Sequence, residues 1–296
     1  MEIFKTQRLK LNIEEDRYQV LENVLGIDMG QTLTKYAYFD NEELVLLMKK
    51  TDGRINDVLN IVKKTKVKID TIRFTGGKAY KAYKEHKKSY KSTLLDEFNS
   101  NMGGINFLYT LRKKHTPQPK LIVSIGTGTS IALKDKTIQH LGGSAMGGGT
   151  FMGLVSLLYN INDYNRIIAL ASKGNRDNVD LKVSDIYAED DPRIQDYFRA
   201  FTAASLGKIN ALSDISSLRK EDVIHSLLGI IGENIGLIAT HIADVHKVTE
   251  IIFCGGLLMN NSILKRLLKL IAKSNKMEAI FLKNSEYAGA IGALIY

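Results

Sequence analysis

The sequence predicts a mixed α/β protein built from two domains, and three observations lead there. Its 296 residues are about twice the usual size of one domain. Short apolar strands alternate with helical segments instead of being segregated from them, the pattern of a layered α/β architecture. A unit of strand, glycine turn and strand also occurs twice, once at the opening of each half.

Composition limits the class before any motif is read. Apolar residues make up 44% and charged residues 25%, the balance of a globular protein with a packed core and not of a disordered or fibrous one. The formal charge of +9 favours an anionic partner without naming it. The one cysteine, Cys254 in the run IIFCGG, can form neither an internal disulfide nor a Cys-rich metal site, and reads as a small buried side chain. The opening MEIFKTQRLKLNIEEDRYQV is charged throughout and lacks the apolar stretch of about 7–15 residues that a secretory signal needs. No later segment reads as a membrane span of about 20 residues. A cytoplasmic protein with no membrane partner is expected.

Taken in order, residues 1–23 form a polar leader, either a tail or an added edge strand. VLGIDMGQTLTKYAYFD reads as a β-hairpin turning at Gly30, and ELVLLMKK as a third strand. Ile55 to Val67 has helical spacing, and a strand ending in TIRFTGG follows. In KAYKAYKEHKKSYK, Lys78, Lys81, Lys84, Lys88 and Lys91 recur every three or four residues, which would make one helical stripe interleaved with Tyr80, Tyr83 and Tyr90. A nucleic-acid surface is the competing reading of that stripe. No RNA- or DNA-binding motif accompanies it, so a solvated face is expected and no nucleic-acid partner. A helix from Phe98 to Lys114 ends at the linker HTPQPK, where the boundary between domains 24–118 and 119–296 is placed. KLIVSIGTGTSIALKDK then restarts the hairpin pattern. Aligning Gly30 with Gly128 sets Asp28 against Gly126 and suggests a duplication, with the halves facing each other across a cleft. Two further strands, EIIFCGG and EAIFL, precede the small-residue helix EYAGAIGALIY.

Glycine turns between strands suit a polyphosphate, because its oxygens need backbone N–H groups at a range that a Cβ would obstruct. In GIDMGQTLTK, Asp28 can hold Mg²⁺ directly or through water, Gly30 permits the turn, and Thr32, Thr34 and Lys35 offer hydroxyls or charge to phosphate oxygens. GTGTS is a second such loop without its own acidic residue. Gly147, Gly148 and Gly149 stand before a helical pattern with Thr150 near its start, and helix N-termini bind anions through unpaired N–H groups. FCGG is either an adenosine platform or a tight connection. The GxxxxGK loop of other nucleotide-binding folds is absent, and GTGTSI departs from the dinucleotide fingerprint.

With these blocks in hand, their order over residues 24–296 resembles the type II pantothenate kinases. The matching motifs are GIDMGQTLTK, FTGG, DEF at residues 96–98, SIGTGTS, LGGSAMGGGTFMGL, NDYNRI, GNRDNVDLKVSDIY, FCGG and EYAGAIGALIY. GNRDNVDLKVSDIY is the most telling, since nothing in general nucleotide binding demands it. The resemblance implies a two-domain actin-like ATPase fold, that is, duplicated ribonuclease H-like domains with a central cleft. It implies a cytoplasmic homodimer that uses ATP and Mg²⁺ to phosphorylate the primary hydroxyl of pantothenate, the first step of coenzyme A biosynthesis. Glu97 falls at the catalytic carboxylate of the family, where it can accept the hydroxyl proton. Its bland alternative is a helix N-terminal acid. Asp28, Met29, Gly30, Gln31, Thr32, Leu33, Thr34, Lys35, Thr127, Gly128, Gly148, Gly149, Thr150, Phe151, Met152, Tyr164, Gly255 and Gly256 would face ATP, with Asp28 as the metal ligand.

Two residues depart from the family pattern. Gln31 stands where the family usually has Gly, which leaves the Asp-x-Gly-x-Thr skeleton intact. His140, before Gly142 and Gly143 at the expected substrate site, stands where the family typically has Arg. It gives up the permanent forked charge that Arg would offer a carboxylate. A neutral relative of pantothenate such as pantetheine is therefore an alternative acceptor. A non-catalytic relative that binds nucleotide or acyl-CoA is a third class. Activators of radical dehydratases, which hold an iron–sulfur cluster, are disfavoured by the single cysteine, and repressor-like sugar kinases by the absence of their Cys-rich zinc motif.

Overall fold

The computed structural model describes residues 5–10, 22–52, 59–60, 67–112, 119–211 and 215–296. Most of the leader, most of the helical stretch expected at 55–67 and most of the HTPQPK linker lie outside the described residues. The chain divides into two compact units.

The first unit comprises Met1–Gln118, Asp135–Ile138 and Leu282–Tyr296. Its strands are β1 (Lys5–Lys10), β2 (Val24–Met29), β3 (Leu33–Asp40), β4 (Glu43–Lys50), β5 (Thr71–Thr75) and β6 (Lys91–Leu94). They form one sheet in the order β1-β4-β3-β2-β5-β6. The hairpin β2–β3 is antiparallel, with Asp28 opposite Lys35, whereas β5 runs parallel to β2. Every residue of β2 is buried, as a strand covered on both faces requires, so VLGIDM reads as a nearly unbroken apolar run. The leader supplies the edge strand β1, which pairs antiparallel with β4. Arg8 fixes it by placing Nη1 2.9 Å from both Asp40 Oδ2 and Glu43 Oε2.

Helix α1 covers only Ala79–His86. The expected stripe of five lysines is therefore not one helical face, because Lys88 falls in the following turn and Lys91 on β6. Tyr83 meets the Phe74 ring edge-on at 6.2 Å and, with Tyr90, packs on the core, whereas Tyr80 is exposed. Helix α2 (Glu97–Arg112) starts one residue earlier than expected, capped by Asp96, whose Oδ1 accepts the Asn99 N–H at 2.7 Å.

The second unit comprises Pro119–Lys134 and Gln139–Phe281. Its main sheet holds β7 (Lys120–Ile125), β8 (Thr129–Lys134), β9 (Ile138–Ser144), β12 (Glu250–Cys254) and β13 (Glu278–Phe281), in the order β13-β12-β7-β8-β9. A two-stranded sheet of β10 (Leu181–Lys182) and β11 (Thr202–Ala204) stands apart. Counted from its own hairpin, this order repeats that of β6-β5-β2-β3-β4, the relation a duplication would leave. The strand ends correct the expected alignment. Turns of residues 30–32 and 126–128 join the two hairpins, so Gly30 corresponds to Gly126, and Ser124, not Gly126, takes the place of Asp28. Strand ends fix this correspondence, whereas matching one glycine to another misplaced it by two positions.

Helices α3 (Gly148–Tyr159), α4 (Tyr164–Ala171), α5 (Lys220–Val245) and α6 (Ser262–Ser274) belong to this unit. Against expectation, α5 is long and apolar enough to cross a membrane, but 67% of its apolar window is buried inside the protein, as in a core helix. The GNRDNVD block ties into α5. Asp180, fully buried, accepts hydrogen bonds from Arg176 Nε, Ser226 Oγ and the Leu206 N–H. Asp222 accepts from the Asn175 N–H and from Asn178 Nδ2, both at 2.8 Å.

The last helix, α7 (Ala288–Ile295), corrects the expected domain 119–296, because it packs in the first unit against β2 and α2. The contact is backbone to backbone. A Cβ added at Gly26 would fall 2.2 Å from Ala290 O, one at Gly104 1.9 Å from Ala288 O, and one at Gly292 1.6 Å from Ser100 O. Arg73 Nη1 donates to Leu294 O at 2.8 Å and so caps the far end of this helix.

Candidate active site

In the first unit, hairpin register and helix packing gather Asp28, Lys35 and Glu97. Asp28 closes β2, and the strand opposite brings Lys35 Nζ to 3.0 Å from its Oδ2. The carboxylate is recessed between two glycines. A Cβ at Gly76 would lie 2.7 Å from Asp28 Oδ1, and one at Gly289 2.8 Å from Oδ2, so a side chain at either position would close over the group. Gly76 also has φ +95°, which disfavours any other residue there. Glu97, first residue of α2, accepts a hydrogen bond from the Gly77 N–H. Burial first, and then the charge of Asp28, raise its carboxyl pKa above the ordinary value. Lys35 pulls it down, Asp96 adds a smaller upward push, and the Gly77 bond a smaller downward one. The residue as a whole is open to solvent, which limits the size of the shift but not its sign.

Around the turn, Gln31 and Thr32 are exposed and Leu33 half-buried. Two expected phosphate-facing side chains point elsewhere. Met29 is 2% exposed, in the core cluster, and Thr34 is 1% exposed, its Oγ1 3.0 Å from Thr51 Oγ1. Alternation on β3 explains Thr34, since Lys35 takes the opposite face. Lys78, expected on a solvated stripe, donates from Nζ to Gln31 O at 3.3 Å. No group of three metal-binding side chains occurs among the described residues. Mg²⁺ fits such a site, because it keeps its waters and commonly takes one or two carboxylates plus phosphate oxygens instead of a protein cage.

The second unit gathers the other glycine loops. The Gly148 N–H donates to Gly126 O at 2.7 Å and the Gly149 N–H to Thr127 O at 2.8 Å. These amides are therefore engaged, not unpaired as expected, and they clamp α3 onto the GTGTS turn that includes Gly128. Phe151 is 0% exposed, a core residue whose ring cannot face a nucleotide, and Met152 packs against the same core. Thr150 Oγ1 donates to Ala145 O at 2.9 Å. The Tyr164 hydroxyl lies 2.8 Å from Leu257 O and 2.9 Å from Met259 O, tying α4 to the turn of Gly255 and Gly256. Burial raises its pKa far above the usual range. His140 is exposed on β9, ahead of Gly142 and Gly143.

Comparison with known proteins decides the family. The Fumble family model matches residues 43–296. A protein of Bacillus anthracis named type II pantothenate kinase is 33% identical over 278 residues, covering 93% of this chain and 98% of its own. One of the same name from Oceanobacillus iheyensis is 34% identical over 271 residues, covering 92% and 98%. The chain belongs to the type II pantothenate kinase family. Among solved structures, a ROK hexokinase from Thermus thermophilus superposes with TM-score 0.52 at 11% identity, covering 92% of this chain and 96% of that one. A glucokinase from Balamuthia mandrillaris in complex with glucose gives 0.50 at 13% identity, covering 95% and 96%. At such identities the likeness is one of fold, the two-domain actin-like fold expected above. Sequence reading gave no role to Thr51, whose Oγ1 donates to Gly30 O at 2.8 Å. It lies past the end of β4 in no motif, and only the register that sets Leu33 opposite Lys50 could have pointed to it.

Proposed function

We propose that this chain transfers the γ-phosphoryl group of ATP to the primary hydroxyl of pantothenate, the first step of coenzyme A biosynthesis. The observation that carries the reading is the Asp28 carboxylate, recessed between Gly76 and Gly289 and electrostatically coupled to both Lys35 and Glu97. In this reading Asp28 would hold the metal, and Lys35 would turn its remaining N–H donors toward phosphate oxygens. When bound, Mg²⁺ supplies positive charge that offsets the charge developing on the phosphoryl oxygens. Glu97 accepts the proton of the attacking hydroxyl, and its raised pKa makes it a stronger base than an ordinary surface carboxylate. The side chains of Met29, Thr34 and Phe151 do not face the nucleotide, because they are buried. Gln31, Thr32 and Leu33 contribute as loop residues. Thr127, Gly128, Tyr164, Gly255 and Gly256 keep the nucleotide-contacting role that the family resemblance gives them.

The protein acts in the cytoplasm as a homodimer in this proposal. The exposed apolar residues Leu157 on α3 and Val245 on α5 are compatible with burial against a second copy. Pantetheine is the second acceptor, favoured by the exposed His140 where the family has Arg. ADP production measured with pantothenate, with pantetheine and with neither separates these readings. Turnover that depends on pantothenate is expected. Turnover with pantetheine alone would move the specificity, and no acceptor-dependent turnover would leave a protein that only binds.

A further inference from the structure

We infer that Thr51 is a positioning residue for the first glycine loop, setting the directions in which the loop amides point. The inference rests on the nucleotide-binding part of the function proposed above. Thr51 touches the loop twice and strand β3 once. Its N–H donates to Thr32 O at 2.9 Å, its Oγ1 donates to Gly30 O at 2.8 Å, and Thr34 Oγ1 lies 3.0 Å from the same oxygen. A hydroxyl carries one hydrogen. With that hydrogen spent on Gly30 O, Thr51 Oγ1 can only accept from Thr34, so the chain runs one way, from Thr34 through Thr51 to the Gly30 carbonyl.

The consequence follows from peptide geometry. A trans peptide is planar, and its C=O points opposite to the N–H of the next residue. Holding the Gly30 and Thr32 carbonyls toward Thr51 therefore turns the Gln31 and Leu33 N–H groups away from it. The Gly30 N–H bond to Leu33 O, 3.1 Å, closes the turn between them. Backbone amides are what a glycine loop offers an anion, and Thr51 fixes two of them before any ligand arrives. Gln31 and Thr32 are exposed, so apart from the longer Lys78 Nζ bond to Gln31 O, 3.3 Å, the loop has little side-chain packing to hold it otherwise.

The test compares the wild-type chain with Thr51→Val, which keeps the shape and removes the hydroxyl, and Thr51→Ser, which restores it. The readouts are Kd for MgADP by calorimetry, KM for ATP and for pantothenate, and the thermal melt. Thr51→Val is expected to weaken MgADP binding and raise the ATP KM by about tenfold, the equivalent of ~1.4 kcal/mol. The pantothenate KM should stay unchanged, and Thr51→Ser should return the ATP KM to the wild-type value. If Thr51→Val does not fold, Thr51→Ala replaces it with the same expectation. An unchanged nucleotide affinity, a loss that serine does not rescue, or an equal rise in both KM values overturns the assignment. Wild-type protein that binds MgADP but does not phosphorylate pantothenate would end the kinase reading, while the calorimetric comparison would still decide the role of Thr51. Wild-type protein that binds no MgADP would overturn both.

Discussion

Replacing Gly292 by Ala tests whether the last helix sets the place of the proposed base. The added Cβ would fall 1.6 Å from Ser100 O, whereas such contacts essentially never come below 3.0 Å, so α7 and α2 must part by about 1.4 Å. Neither side can yield cheaply, since the obstructing atom belongs to the backbone of α2. Overpacking typically costs 1–3 kcal/mol, and this contact belongs at the upper end, ~3 kcal/mol. For a unit of this size that is a fall of roughly 6–12 °C in Tm. Ser100 lies one turn beyond Glu97 on the same helix, so a shift there displaces the carboxylate. A misplacement of about 1 Å can lower kcat roughly 10²-fold. Thermal unfolding followed by circular dichroism, with kcat measured well below both melting points, reads the two effects separately. A variant with wild-type Tm would refute the packing argument. A lowered Tm with wild-type kcat would show that helix spacing does not position Glu97.

The remaining predictions concern protons. If Glu97 is the base, kcat/KM falls in acid with a midpoint above the ordinary carboxylate value, because burial and Asp28 raise its pKa; a pH profile that is flat through that range would remove it from the chemistry. A raised carboxyl pKa means that the folded state binds the proton more tightly than the unfolded chain. The penalty is absent below the ordinary value and fully present above the raised one. Glu97→Gln should therefore melt above the wild type at neutral pH, with the difference closing in acid. Cys254 is buried, which pushes its thiol up to about 12. It should resist a thiol reagent in the native protein and react fully in denaturant, and rapid native labelling would contradict its burial.

Much of this fold was legible because its signals are local. The apolar run VLGIDM, the glycine turns and the later strands each announce themselves within a few residues, and Asp28 and Glu97 sit in motifs short enough to read. What escaped depends on partners distant in sequence. KTQRLK stays open between a tail and an edge strand until β4 offers an edge to it. EYAGAIGALIY reads as a helix, yet its place beside β2 comes from Gly26 and Gly104, which look like unremarkable residues of a strand and a helix. The Gly148 and Gly149 amides looked free because helix starts usually leave them so. Their partners, Gly126 O and Thr127 O, lie in another motif. Thr51 carries no signature at all, since its meaning lies in the two carbonyls it holds.

The most direct test of the central claim is Glu97→Gln, which keeps the size of the side chain and removes its capacity to take a proton. The measurement pairs MgATP affinity with the rate of pantothenate phosphorylation. Affinity close to wild type with a rate about 10²–10⁴-fold lower is the expected result. A variant that phosphorylates pantothenate at the wild-type rate would contradict the account.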